Sequence, residues 1–352
     1  MKKSLLNKLI FSFLLTGCVE GNKRPNENVQ NINENLEIIA EQLRVPWSID
    51  SDGTSFFISE RAGSIVKVTE SETIRQKLHP KKRLATASEA GVLGFVLHPE
   101  KEHYGFLYYT YEDESGQFNR VVELRKEKNE WYEENVLIDH IPSGTYHHGG
   151  RMKIGPDNKM YIATGDATVP SIAQDKTSLA GEILRINLDG TIPHDNPNSN
   201  SLVYSYGHRN PQGLSWDQSG QLYSSEHGPS AHDELNVVKA NGNYGWPQVY
   251  GNESKEGMIP PIIHSGEQTW APSGMAYHNG ILYVAQLRGE GVLAFDIKEK
   301  ITKQIVSNVG RVRDVFIHGD YLYIITNNTD GRGNPNDRDD KLMRVQLSKI
   351  DR

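Results

Sequence analysis

The 352-residue chain has one cysteine, Cys18. A single thiol cannot close an internal disulfide, and the chain beyond residue 18 has no thiolate to offer a metal. Long apolar runs are missing too. The stretch MKKSLLNKLIFSFLLTG at the start holds one apolar run, and it is too short to span a membrane. Helix-period runs are scarce. Positive charge is not in excess: the formal net charge is -7, which argues against a nucleic-acid partner. Glycine (32) and tyrosine (16) are plentiful, a composition suited to many strands joined by tight turns.

The leader has its own logic. Lys2, Lys3 and Lys8 flank an apolar run, and Leu15-Thr16-Gly17-Cys18 resembles a bacterial lipobox. Residues 1–17 are therefore expected to be the signal peptide of an exported lipoprotein, with the lipid on Cys18. That places the chain in the bacterial cell envelope, touching membrane through the lipid anchor alone. Residues 18–40 are polar and Asn-rich and are expected to be a flexible tether. Residues 41–352 are expected to form one folded domain.

Within that domain one pattern recurs. Short apolar-aromatic-apolar strands centre on Phe57, Tyr108, Tyr161, Tyr223, Tyr283 and Tyr323, so successive copies lie 51, 53, 62, 60 and 40 residues apart. Each copy has a strand-like segment before it, such as PWSID, GVLGFVLHP or PQGLSWD, and one after it, such as SIVKVTE or DELNVVKAN. Repeats of this period with several strands each predict an all-β, six-bladed β-propeller with four antiparallel strands per blade, the outer one variable. A β-sandwich would not repeat at this period.

In such a fold the loop entering each first strand and the loop between second and third strands share one face. Glu89, His147, Arg209, Asn210, Arg311 and Arg313 precede or open first strands. Glu226, His227, Gly228, Pro229, Gln286 and Arg288 fall in second-to-third loops. Polar residues from several blades thus converge on one mouth, the default place for an active site. Arg209, Arg288, Arg311 and Arg313 in a net-acidic chain suit a small polyanion. The loop from Glu226 to Pro229, with Asp233, Glu234 and Tyr244 beyond it, offers oxygen ligands of the kind Ca²⁺ takes. His147, beside His148 and two glycines, could serve as a general base.

At these residues the chain resembles the PQQ-dependent glucose/sorbosone dehydrogenase family, and looks closest to its soluble aldose sugar dehydrogenases. The resemblance rests on HHGGRMKIGPDNKMYIATGD, GEILRINLDGTIPHDNP, YSYGHRNPQGLSWD, SEHGPSAHDELN, NYGWP and RVRDV. It implies bound pyrroloquinoline quinone (PQQ), Ca²⁺, and oxidation of an aldose at C1 to the lactone, with electrons passed to an unidentified acceptor. It implies His147 as the catalytic base and Arg209 as the group polarising the quinone. Asn210, Arg288, Arg311 and Arg313 correspond to cofactor-binding positions. Gly228 and Pro229 would give carbonyls to a Ca²⁺ that also binds PQQ. Glu234 and Tyr244 resemble ligands of a second Ca²⁺. Glu89 and His227 stand where glutamines are expected, and Arg288 where a lysine is, which argues against close glucose specificity. DGTIPHDNPNSN runs straight into the Val203 strand without large substrate-side insertions, which implies an open, permissive sugar site. Two other classes compete. One is a non-catalytic propeller binding a sugar or protein. The other is a metal-dependent lactonase, which would want carboxylate or Asn ligands at the channel centre in place of arginines.

Overall fold

The computed structural model describes residues 32–350, so the expected signal peptide and Cys18 lie outside the described residues. The described chain is almost entirely β, with three short 3-10 segments as its only helical turns. The six apolar-aromatic segments form the strands Phe56–Glu60, Tyr104–Asp113, Met160–Ala163, Leu222–Glu226, Ile281–Gln286 and Tyr321–Thr326. Each is paired antiparallel on both sides. Its partner before it is, in the same order, Pro46–Ser51, Val92–Leu97, Met152–Ile154, Pro211–Trp216, Pro272–His278 or Val312–His318. Side chains here alternate between two buried faces, which is why aromatic and β-branched residues fill both.

Twenty-four strands result, in four sheets of four and one of eight. The eight-stranded sheet is two antiparallel runs of four, joined where Thr73–His79 pairs in parallel with Glu130–Pro142. Apolar clusters lie between successive sets. Phe57 and Ile65 meet Val92 and Phe95. Phe106 and Tyr108 meet Met152 and Ile162. Ile183 meets Leu214, and Leu235 meets Met275. Val292 meets Val312, and Ile325 returns to meet Ile49 and Ile58 of the first set. The sequence of packed sets therefore closes on itself.

The closing strand corrects the tether expected over 18–40 for its described part, residues 32–40. Glu37–Ala40 pairs with Leu342–Gln346 as the outer strand of the last set, and Ile32 is buried in an apolar cluster with Val345 and Leu347. The cause is an open edge: the final set supplies three strands from the C-terminal end of the chain, and the N-terminal segment fills the fourth place.

The inner strands also meet across the middle. The Arg151 guanidinium gives Nη1 to Asp314 at 2.5 Å and Nε to the Gln212 carbonyl at 2.7 Å, while Asp314 accepts the Ile49 N–H at 3.0 Å. The indole of Trp47 lies 4.4 Å from that guanidinium. Four sets are thus braced by one fully buried ion pair beneath the loops that carry the candidate site.

Candidate active site

His147 is set by its backbone first. It adopts φ 62°, a conformation uncommon outside glycine, and is followed by Gly149 at φ 63°. A Cβ on Gly149 would run into the Ala163 carbonyl, so only glycine lets the loop pass this close to the next strand. The His147 N–H donates to Glu89 Oε2 at 3.2 Å. Its Nδ1 lies 2.7 Å from Asp166 Oδ1. Asp166 is fully buried, and its other oxygen accepts the Trp246 indole N–H at 2.8 Å. A carboxylate so held keeps the proton on His147 Nδ1 and leaves Nε2 as the acceptor. The imidazole remains 20% exposed, so a reactant can reach it.

Arg209 stands beside this pair. The Asp166 N–H donates to the Arg209 carbonyl at 2.8 Å. The guanidinium lies 5.4 Å from the Trp246 ring and gives Nη1 to the His227 carbonyl at 3.3 Å, while its Nε is buried without a partner. Burial pulls Arg209 below its ordinary range, against the charges of Asp166 and Glu226. The Arg209 N–H also donates to Glu226, whose second oxygen meets His208 Nδ1 at 2.9 Å. Asn210 accepts the Gly149 N–H at 3.0 Å, tying the histidine loop to the arginine loop.

Across the mouth, Arg311 and Arg313 share one carboxylate, Asp330. Arg311 reaches Asp330 Oδ2 from Nη2 at 2.8 Å, and Arg313 lies 4.0 Å from the same oxygen. Arg313 also gives Nη1 to Gln212 Oε1 at 2.8 Å. Burial pushes Arg313 below its ordinary range, opposed by Asp330. Arg61 and Arg332 complete the rim. Arg332 pairs with Glu89 Oε1 at 2.7 Å and sits 5.8 Å from the Tyr146 ring. Burial would raise the Glu89 carboxyl, but the Arg332 charge and hydrogen bond bring it down to about 2. His227 and His148 are each pulled down to about 4, chiefly by burial, so both are neutral. Each leaves its Nε2 buried without a partner among the described residues.

The Gly228–Pro229 loop is pinned by Asp233. Asp233 Oδ1 accepts the Gly228 N–H at 3.0 Å, and Oδ2 accepts the Trp270 and Ala271 N–H groups at 2.7 and 2.9 Å. A Cβ on Gly228 would overlap the Ala231 carbonyl. No described residue donates a hydrogen bond to the carbonyl of Gly228 or Pro229. Glu234 and Tyr244 line the same small cavity as this loop, together with Arg209 and Trp246. Glu234 Oε1 accepts the Gly251 N–H at 2.8 Å, and the Tyr244 hydroxyl is engaged by Val237 and Lys239. Burial, then the nearby Glu226 charge, raises Glu234 to about 8. Among the described residues no three His, Cys, Asp or Glu side chains gather as a metal site, so a cation here would rest largely on carbonyls.

Of the residues singled out from sequence, Glu89 meets His147 directly, His147 and Arg209 are joined through Asp166, Asn210 is tied to the histidine loop through Gly149, and Arg311 and Arg313 meet on Asp330. Arg288 is the outlier. It sits exposed at the rim, its N–H on the Trp270 carbonyl and its side chain with no described partner. Four members escaped sequence reasoning. Asp166 ends the ATGD run two residues past a predicted strand, a signal that was available. Arg61, Asp330 and Arg332 sit in loops without a distinctive pattern.

The fold and this mouth can be set beside known proteins. The model of the Glucose / Sorbosone dehydrogenase family matches residues 43–344, and the chain belongs to that family. It is 32% identical over 279 residues to quinoprotein glucose dehydrogenase B of Acinetobacter calcoaceticus, covering 66% of this chain and 57% of that enzyme. It is 27% identical over 337 residues to the aldose sugar dehydrogenase YliI of Escherichia coli, covering 84% of this chain and 91% of that one. The solved PQQ-bound aldose sugar dehydrogenase of Streptomyces coelicolor superposes with a TM-score of 0.83 at 32% identity, covering 88% of this chain and 97% of the other.

Proposed function

We propose that this chain is a PQQ- and Ca²⁺-dependent aldose dehydrogenase, built as a six-bladed β-propeller with four antiparallel strands per blade. The ring of packed sets supports the architecture. One observation carries the chemistry: an oriented base, His147 on Asp166, faces a partly orphaned Arg209 in the same mouth as the Arg311–Arg313 pair.

The donor set suits the cofactors. Buried polar atoms without partners, Arg209 Nε, His227 Nε2 and Gln286 Oε1, suit a polar, planar guest. Arg311 and Arg313 suit carboxylates, and the two free carbonyls of Gly228 and Pro229 suit a hard cation. PQQ, when bound, supplies a quinone that takes up hydride, and Ca²⁺ polarises it. His147 Nε2 takes the proton of the sugar C1 hydroxyl as the C1 hydride departs, and the lactone forms. Asp166 stabilises the imidazolium that results. Arg209 would supply positive charge to the bound cofactor. Glu89, Asn210, His227, Arg288, Arg311 and Arg313 would hold the cofactor. Gly228 and Pro229 would hold Ca²⁺, and Glu234 and Tyr244 would contribute to a second cation. The electrons would go to an external acceptor. The leader supports an envelope lipoprotein anchored through Cys18.

Reconstitution tests this directly. Metal-stripped protein given PQQ and Ca²⁺ should reduce a redox dye when an aldose is added. Omitting either component should abolish the reaction. Dye reduction by a preparation free of quinone and metal would overturn the proposal, and sugar binding without turnover would favour the non-catalytic alternative.

A further inference from the structure

A hollow of about 980 Å³ opens at the end of the strands away from the candidate active site. It forms where the turn after Pro46–Ser51 meets the turn spanning 98–103, and it reaches Lys153 and Phe316 near the far ends of two other first strands. That volume is typical of a small-molecule site.

Three of its lysines, Lys67, Lys126 and Lys153, are half-buried. Among the described residues, none of their ammonium groups donates a hydrogen bond or lies within ion-pair distance of a carboxylate. Their ammonium groups lie against rings instead. Lys67 and Lys126 are 5.9 and 5.7 Å from the centroid of the same Phe57 ring, Lys126 is 5.9 Å from Trp131, and Lys153 is 5.3 Å from Phe316.

The acids around the hollow are committed or peripheral. Asp50 Oδ2 accepts the Leu97 N–H at 2.7 Å, and burial raises its carboxyl against the pull of Lys153. Asp52 spends Oδ1 on Thr54 and Ser55, and its charge reaches Lys67 and Lys126 only from beyond ion-pair distance. Glu100 bonds Asn158 at 2.9 Å, and Glu102 is exposed. Lys101 is already paired with Glu123. His98 uses Nδ1 to accept the Glu100 and Lys101 N–H groups, and His103 is exposed. Lysines taken from water normally find an anion, because an unpaired desolvated charge is costly. Burial and the charge of Lys67 together pull Lys126 below the ordinary lysine range.

We propose that this hollow binds a small organic anion with a ring-sized apolar body, an aromatic carboxylate or sulfonate, whose acid group sits between Lys67 and Lys126. The rings and Val96, Leu97 and Ile154 provide the apolar wall. The site is separate from the sugar-oxidising mouth and does not depend on what that mouth does.

Titration calorimetry of the full chain with naphthalene-2-sulfonate tests it. Saturable 1:1 binding is expected, weakened at least about tenfold in Lys67→Ala/Lys126→Ala, the loss of about 1.4 kcal/mol. Lys298→Ala, an exposed lysine of another set, should leave it unchanged. Lys153→Ala should weaken it less. Inorganic sulfate should bind more weakly than the naphthalene compound. Binding should persist when the mouth is filled with PQQ and Ca²⁺. Absence of saturable binding, full affinity in the double variant, or loss of the probe on PQQ loading would each overturn the proposal.

Discussion

The two sides of the candidate mouth handle charge in opposite ways. On the side of the third and fourth sets, one buried carboxylate, Asp166, orients a base and leaves the far nitrogen of His147 open. On the side of the last set, one buried carboxylate, Asp330, quiets two arginines at once. The first arrangement prepares a proton acceptor. The second offsets only half of the charge of Arg311 and Arg313, so one positive charge remains for an anion. The two arrangements stay distinct: Arg311 and Arg313 meet on Asp330, while the guanidinium beside the His147–Asp166 pair is that of Arg209.

That contrast can be broken in several places. The largest expected effect is cofactor removal: dialysis against EGTA should lower dye reduction to background, and Ca²⁺ with PQQ should restore it. Next, His147→Gln should lower steady-state turnover by about 10²–10⁴-fold while cofactor affinity stays within about threefold. Asp166→Asn should cost about 10–10²-fold in kcat with little change in PQQ binding, because the amide no longer fixes the tautomer. Arg311→Ala should act the other way, weakening PQQ by about tenfold or more with turnover recovered at saturating cofactor. It should also lower Tm by several degrees, since Asp330 loses its closest counter-charge.

The smallest effect belongs to the rim. The Glu89 carboxyl is depressed from 4.5 to about 2 by Arg332, so the pair stabilises the folded state above about pH 4.5 and loses that contribution as pH falls toward about 2. The Tm difference between wild type and Glu89→Gln should therefore be flat near neutrality and shrink in acid. A difference that grew as pH fell would contradict the pairing.

Much of this architecture was legible in advance because its repeat is chemical. Each second strand must bury both faces, so it writes an aromatic between apolar residues, and all six positions formed strands. The outer strands carried no such signal. Ile263–His264 is two residues long, and Glu37–Ala40 lies in a polar leader whose pairing partner is some 300 residues away. The same rule divides the site. His147, Arg209, Asn210, Arg311 and Arg313 adjoin first strands and could be placed by counting along the repeat. Asp330 and Arg332 lie in a polar loop, NNTDGRGNPNDRDD, where nothing but the fold distinguishes one acid from the next. The cations were therefore visible before the carboxylate that balances them.

The most direct test of the division reads hydride transfer alone. PQQ- and Ca²⁺-loaded His147→Gln, kept anaerobic and without dye, is mixed with glucose while the cofactor absorbance is followed through a single turnover. The expected result is full cofactor occupancy with reduction slowed at least about 10²-fold relative to wild type. Full occupancy with reduction at the wild-type rate would remove His147 from the proton step, and with it the assignment of the two sides of the mouth.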